Sequence, residues 1–211
     1  MVLRRGNVRM DSDVATKIGL GYYDDNGWGV VRAIGNHKQI DVYADNGFAL
    51  TNNGASCAIY QPETPQHAHI FDIQFPTDVA LPSKVNIYKR ASRFDFQPEN
   101  AINMEISQSG TKFYLGSRLV RESEEPKILS DERYMLAIVE HGKWNQFILG
   151  CDTIARIESY LPASENTILS ISGGDTCSVR FEGLGMVSLR DDNRNIFKYI
   201  PSTERPYPFG L

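Results

Sequence analysis

Period-two alternation runs through almost all of Arg133–Val187, RYMLAIVEHGKWNQFILGCDTIARIESYLPASENTILSISGGDTCSVRFEGLGMV, and it leaves few folds open. Side chains along a strand point alternately to opposite faces, so such segments in succession must form sheets. An amphipathic sheet has to bury its apolar face against another layer. With almost no helical interval in this stretch, that layer is a second sheet.

The same alternation extends towards the N-terminus. Ile40–Tyr43 leads into Asp45-Asn46-Gly47, Phe48–Leu50 leads into Asn52-Asn53-Gly54, and Asp25-Asn26-Gly27 precedes Trp28–Val31. Asn-Gly supplies the positive φ angles of the tight hairpin turns that match strand twist. Further strands are predicted at His67–Phe75, Lys84–Tyr88, Arg93–Gln97, Ile102–Ser107, Lys112–Leu119, Tyr134–Glu140, Trp144–Leu149, Thr153–Glu158, Thr167–Ser172, Ser178–Phe181 and Gly185–Arg190. Only Val14–Leu20 reads as a helical turn, with Asp11 or Ser12 as its cap. The expected fold is all-β, an antiparallel β-sandwich.

Proline divides the chain. Residues 61–66, QPETPQ, carry two prolines that remove ladder donors, and they mark a seam. The expected organisation is a β-rich N-terminal extension or small subdomain over 1–66, a sandwich over 67–191, and an extended C-terminal arm over 192–211. The arm holds Pro201, Pro206 and Pro208 together with Phe197, Tyr199, Tyr207 and Phe209. It is too rich in proline for a helix and too aromatic for a free linker. Those four aromatics are candidate partner-binding residues, packed against this domain or a neighbouring subunit.

A chain of 211 residues with 41% apolar composition can bury one good core. Its net charge of −4 carries no long like-charge run, which argues against nucleic acid and against an anionic membrane surface. Arg4, Arg5 and Arg9 read as a solvated terminus. Cys57, Cys151 and Cys177 lack CxxC spacing, so neither a zinc knuckle nor a disulfide framework is expected. No run approaches the ~20 apolar residues of a membrane span, and MVLRRGNVRMDSD has no apolar signal core. A cytoplasmic setting is expected, with unconventional export open. No cofactor is expected.

Three segments carry a resemblance. They are Ala91-Ser-Arg93-Phe94-Asp-Phe96, Trp144-Asn-Gln-Phe147-Ile-Leu-Gly150 and Ile168-Leu-Ser-Ile171-Ser-Gly173-Gly-Asp175. Over about residues 76–190 the chain resembles the galectins, leaderless β-sandwiches that bind glycans. The resemblance implies a galectin-like jelly roll with a glycan on the face of three strands carrying His-x-Asn-x-Arg, Val-x-Asn and Trp-x-x-Glu-x-Arg. Here Glu105, Ser107 and Ser109 stand where His, Asn and Arg would be, and Gly116 replaces the Asn of the second strand. In Arg121–Pro126, Arg121 stands for Trp, Pro126 for Arg, and only Glu124 and Glu125 match. The sugar-face equivalents are thus Glu105, Ser107, Ser109, Arg118, Arg121 and Glu124. Galactose recognition needs an aromatic face and a few fixed polar groups. This region has no Trp and no His, and Trp144 reads as core, so lactose is expected to bind weakly or not at all.

Other chemistry is thin. His67 and His69 would stand ~7 Å apart on one strand face with Asp72 nearby, but two imidazoles do not complete a metal site. Glu122, Glu124 and Glu125 raise a glycoside hydrolase, whose retaining form holds two carboxyls ~5–5.5 Å apart. The plainer reading is a solvated edge paired with Arg118, Arg121 and Lys127. Asp152 beside Cys151 and Asp175 near Cys177 disfavour thiolates. Tyr22, Tyr23 and Trp28 among Asp24, Asp25 and Asn26 fit either a sugar contact or a small core. The sequence therefore points to a non-catalytic module that recognises a glycan or a protein. The alternatives are a structural subunit of a larger assembly docked by its aromatic arm, and a hydrolase on the same fold.

Overall fold

A computed structural model describes residues 7–10, 18–24, 27–34, 40–43, 47–60, 66–90, 101–159 and 166–188. Every regular element among them is a strand, and the strands form two antiparallel sheets. The larger sheet runs in the order β1 (Asn7–Met10), β2 (Ile18–Asp24), β3 (Gly27–Ile34), β6 (Ser56–Tyr60), β15 (Asn166–Ser172), β8 (Lys84–Lys89), β9 (Ile102–Ser107), β10 (Gly110–Leu115), β11 (Arg118–Ser123). The smaller runs β14 (Asp152–Glu158), β13 (Trp144–Leu149), β12 (Arg133–His141), β7 (Gln66–Gln74), β16 (Ser178–Ser188), β5 (Gly47–Thr51), β4 (Ile40–Tyr43). The expected all-β sandwich is what forms.

Alternation decides what each strand buries. On β9, Ile102, Met104 and Ile106 are fully buried, while Asn103, Glu105 and Ser107 between them face outward. The same parity sends Val85 and Ile87 of β8, Leu169 and Ile171 of β15, and Phe113 of β10 into the core. From the smaller sheet come Ile73, Leu136, Ile138, Phe147, Val179 and Phe181. Phe113 and Phe147 meet across the sandwich with ring centroids 5.0 Å apart and planes tilted by 58°. This is an aromatic bridge between the two sheets.

The N-terminal strands do not stand apart. β6 pairs with β15 in the larger sheet and β5 pairs with β16 in the smaller, so both sheets are built from residues on either side of Pro62 and Pro65. Three local readings need correction. Ile18–Leu20 is strand, paired with Val8–Met10, because a ladder partner outweighs the weak capping signal. Lys112–Leu119 is a hairpin rather than one strand: Gly116, at φ 60°, reverses the chain between β10 and β11. Ser178–Phe181 and Gly185–Arg190 belong to one strand through Ser188, interrupted by an irregularity between Glu182 and Gly185. The predicted strand at Arg93–Gln97 and the arm 192–211 lie outside the described residues.

The two ends of the sandwich are closed differently. At one end the loop between β11 and β12 folds over the core, with Ile128 N–H donating to Ser107 O at 2.9 Å and Phe75 N–H to Glu132 O at 2.9 Å. At the other end, charged and polar side chains replace the apolar core.

Candidate functional site

The outer face of β8–β11 is where the resemblance would put a ligand. Register aligns its outward residues in rows. Tyr88, Asn103, Tyr114 and Leu119 form one row, Asn86, Glu105, Lys112 and Glu122 the next, and Lys84, Ser107 and Gly110 the last. Polar contacts tie the rows together. Lys84 Nζ lies 2.9 Å from Glu105 Oε2, Asn103 Nδ2 donates to Asn86 Oδ1 at 3.1 Å, and Lys112 Nζ is 3.6 Å from Glu122 Oε1. The face is therefore polar, with one half-buried aromatic, Tyr114, beside the exposed Leu119. Tyr88 is shut away: burial, and secondarily Glu105, push its phenol up from the ordinary value, with Ser170 opposing.

At the end of the last row lies a cleft of about 380 Å³ lined by Ser109, Gly110, Thr111, Lys112, Glu122, Ser123 and Glu124. Its floor is a turn held by serine hydroxyls: Ser107 Oγ donates to Gly110 O at 3.0 Å and stands 3.0 Å from Ser109 Oγ. Gly110 is required there. Its φ is +118°, and a Cβ would fall 2.6 Å from Ser123 O and 3.2 Å from Glu124 O. Gly110→Ala is expected to cost about 1–3 kcal/mol from backbone strain alone and to push β11 outward, opening the cleft. Urea titration measures the first effect; a shift of the amide resonances of Ser123 and Glu124 reports the second.

Of the residues expected from sequence, Glu105, Ser107, Ser109 and Glu124 gather on this face or in its cleft. Arg118 and Arg121 pair with Leu115 and Phe113, whose side chains belong to the core side; the register shift between Phe113 and Tyr114 lets both arginines, three residues apart, share that side and turn from Glu105. Glu125 is engaged elsewhere, accepting from Tyr134 Oη at 2.9 Å and lying 3.0 Å from Lys127 Nζ. Tyr114, Lys112 and Asn103 were missed, although their parity opposite Phe113 and Met104 could have placed them outward. Trp144 departs from its predicted core position. It opposes His141 and Glu158 on the outer face of the smaller sheet, with the Arg156 guanidinium 4.3 Å from its ring centroid. Tyr22, Tyr23 and Trp28 fall on the β2–β3 hairpin, where Tyr23 pairs with Trp28.

A second polar constellation fills the far end of the interior. His69, Lys89, Glu140, Asn145 and Thr167 sit at core parity and are at most 1% exposed, with Arg90 at 5%. Lys89 Nζ lies 2.9 Å from Thr167 Oγ1 and 3.4 Å from Glu140 Oε2; Arg90 Nη2 is 3.3 Å from Glu140 Oε1. Thr167 Oγ1 is 3.0 Å from His69 Nδ1. Arg90 also donates to Ser159 O at 3.3 Å and to Gly142 O, pinning the end of β14 to the β12–β13 turn. Burial pushes the Lys89 ammonium below its usual range, and Glu140 works against that shift. His69 and Asp72 lie on opposite faces of β7: Asp72 pairs with Arg133, and His69 faces Thr167. Burial first and Asp175 last push the buried Cys177 thiol up, so it offers no ready thiolate.

No protein-family model and no curated protein matches the chain. Solved structures do. The carbohydrate binding module CBM66 from Bacillus subtilis is similar at TM-score 0.54 and 12% identity, over 75% of this chain and 95% of that one. The exoplasmic/lumenal domain of VIP36, in a Ca2+/Man-bound form, matches at 0.56 and 8%, over 79% and 85%. A beta-1,3-1,4-glucanase (lichenase) derived from a mouse hindgut metagenome matches at 0.54 and 10%, over 87% and 97%. The chain spans under half of a further match, the HCR/D W1238A mutant, covering 47% of its length. At these identities the likeness is one of fold. The chain shares their fold, an all-β jelly-roll sandwich of two antiparallel sheets.

Proposed function

We propose that this sandwich is a non-catalytic glycan-binding module, galectin-like in where its ligand lies and different in the residues that hold it. The ligand lies along the outer face of β8–β11. The observation that carries this reading is Tyr114, a half-buried aromatic on a polar sheet face flanked by Asn103 and, one row on, by Glu105 and Lys112. An aromatic ring takes the apolar face of a pyranose, and fixed amide, carboxylate and ammonium groups take its hydroxyls. The similarity to a carbohydrate binding module and to a mannose-bound lumenal domain supports the same class of ligand.

A glycan array followed by calorimetry tests this. Tyr114→Ala and Lys112→Ala are expected to abolish the strongest array signal while leaving the melting temperature nearly unchanged, and lactose is expected to give no measurable heat. A signal untouched by both substitutions would remove the ligand from this face.

One observation favours a hydrolase instead: Glu122 and Glu124 both line the cleft. The general acid of a glycosidase is a desolvated carboxyl. Glu122 is 60% exposed and faces Lys112, and Glu124 is exposed as well. Glu122→Gln with Glu124→Gln and Glu125→Gln is therefore expected to leave no aryl glycosidase activity to lose and to change stability by about 1 kcal/mol or less. Turnover that vanishes in one of these variants would establish the enzyme.

A further inference from the structure

Trp144 and Gln146 stand two residues apart on β13, on the outer face of the smaller sheet, and β14 brings Glu158 and Arg156 opposite them. The Arg156 guanidinium is exposed and lies 4.3 Å from the Trp144 ring centroid. Stacking on an indole fixes a guanidinium plane that would otherwise sample many rotamers. The carboxylate best placed to neutralise it is taken: Glu158, two residues on along the same strand face, pairs with Lys143. Among the described residues no carboxylate lies within ion-pair distance of Arg156. A cation held in one pose without a counter-charge, on a chain of net charge −4, offers itself to an external anion.

The register shift between Phe147 and Ile148 adds a neighbour. Thr153 pairs with Ile148, two residues beyond Gln146, so it shares the face of Arg156 two rungs away, about 7 Å along the strands. One sugar ring bridges that span. Gln146 Nε2 donates to Thr153 Oγ1 at 2.7 Å. That bond uses the oxygen as an acceptor and leaves the Thr153 hydroxyl hydrogen to be donated outward.

We propose that Arg156 and Thr153 form a second glycan site, on the sheet opposite Tyr114, and that it takes a carboxylated sugar, a uronate. The guanidinium fork matches a planar carboxylate through two parallel N–H···O bonds, and Thr153 donates to a hydroxyl at the other side of the ring. Trp144 is the positioning residue, since it holds the guanidinium plane. The sugar class rests on the glycan-binding reading above; the anion site rests on Arg156 alone.

Calorimetry of the full chain with oligogalacturonate, its methyl ester, a sulfated neutral oligosaccharide and oligoglutamate tests this, with melting temperatures to check that each variant is folded. Oligogalacturonate is expected to bind, and esterification or Arg156→Gln to weaken it by about tenfold or more. Arg156→Lys keeps the charge without the fork and is expected to lose nearly as much. Trp144→Leu is expected to cost severalfold with Arg156 still present, and Tyr114→Ala to cost nothing. No binding of oligogalacturonate, or binding that survives Arg156→Gln, overturns the proposal. Equal affinity for the sulfated sugar would show that charge alone is read, and equal affinity for oligoglutamate that a peptide is the ligand; either overturns the assignment of a uronate. Uronate binding retained in a chain that binds no neutral glycan would sink the Tyr114 site and leave this one standing.

Discussion

Glu140→Gln is expected to destabilise the sandwich by about 3–5 kcal/mol, and Lys89→Met by far less. The asymmetry follows from counting charges in the buried layer. Glu140 faces both Lys89 and Arg90, and the layer holds no other carboxylate among the described residues. Removing Glu140 takes from Lys89 and Arg90 the one carboxylate that the described residues place against both of them. Removing Lys89 leaves the Arg90–Glu140 pair balanced, and Thr167 keeps His69 as a neighbour. Urea unfolding at neutral pH measures both costs.

A pH series separates the roles. Unfolded Lys89 holds its proton up to its ordinary pKa of 10.5, whereas burial lowers the folded value. Between the lowered value and 10.5 the unfolded chain therefore binds more protons, so Lys89 makes stability rise with pH across that window. The difference between wild type and Lys89→Met should carry this slope. Equal costs for the two substitutions, or a flat difference, would show that the charges are not coupled as the distances imply.

The fold was legible because parity is a strong signal. Ile102, Met104 and Ile106 could only face inward together, and so could Leu136 and Ile138. Where the reading slipped, a local cue was weighed without its partner strand. Lys112–Leu119 has strand-forming residues on both sides of Gly116-Ser117, and that pair, with Gly116 left-handed, makes the turn that a single-strand reading passes over. Ile18–Leu20 is strand because Val8–Met10 lies beside it, which no local pattern encodes.

The sites were harder for a different reason. Strand β9 announces an outward polar row, but which rows adjoin depends on register, so Tyr114 and Lys112 could not be joined to Glu105 from sequence. The buried layer was hidden by the usual rule that charge means surface. Glu140 has the parity of Leu136 and Ile138, and Asn145 has that of Phe147. Those polar residues at apolar positions were the available clue. Trp144 was misplaced by the same step, since putting Asn145 inside turns its neighbour out.

Phe113→Ala is expected to cost about 3–5 kcal/mol, the range for removing a fully buried aromatic ring. Phe113 is 0% exposed and bridges to Phe147, its ring centroid 5.0 Å away on the facing sheet. Its loss leaves a cavity between the sheets that Ile106, Ile138 and Ala155, held in their own ladders, can fill only in part. Against a typical domain stability of about 5–15 kcal/mol the variant still folds at low temperature. A Phe113→Ala, Phe147→Ala cycle should return a coupling of about 0.5–1.5 kcal/mol for the ring pair itself. The consequence reaches the outer face. Lys112 and Tyr114 flank Phe113 on β10, and the strand irregularity between Phe113 and Tyr114 sets how they project. A strand that loses its anchor in the core holds those two side chains less firmly, so glycan affinity should fall in Phe113→Ala although no ligand contact is removed. Full affinity retained at a temperature where Phe113→Ala is still folded would mean that the outer face is organised by β9 and β11 instead of by the core beneath β10.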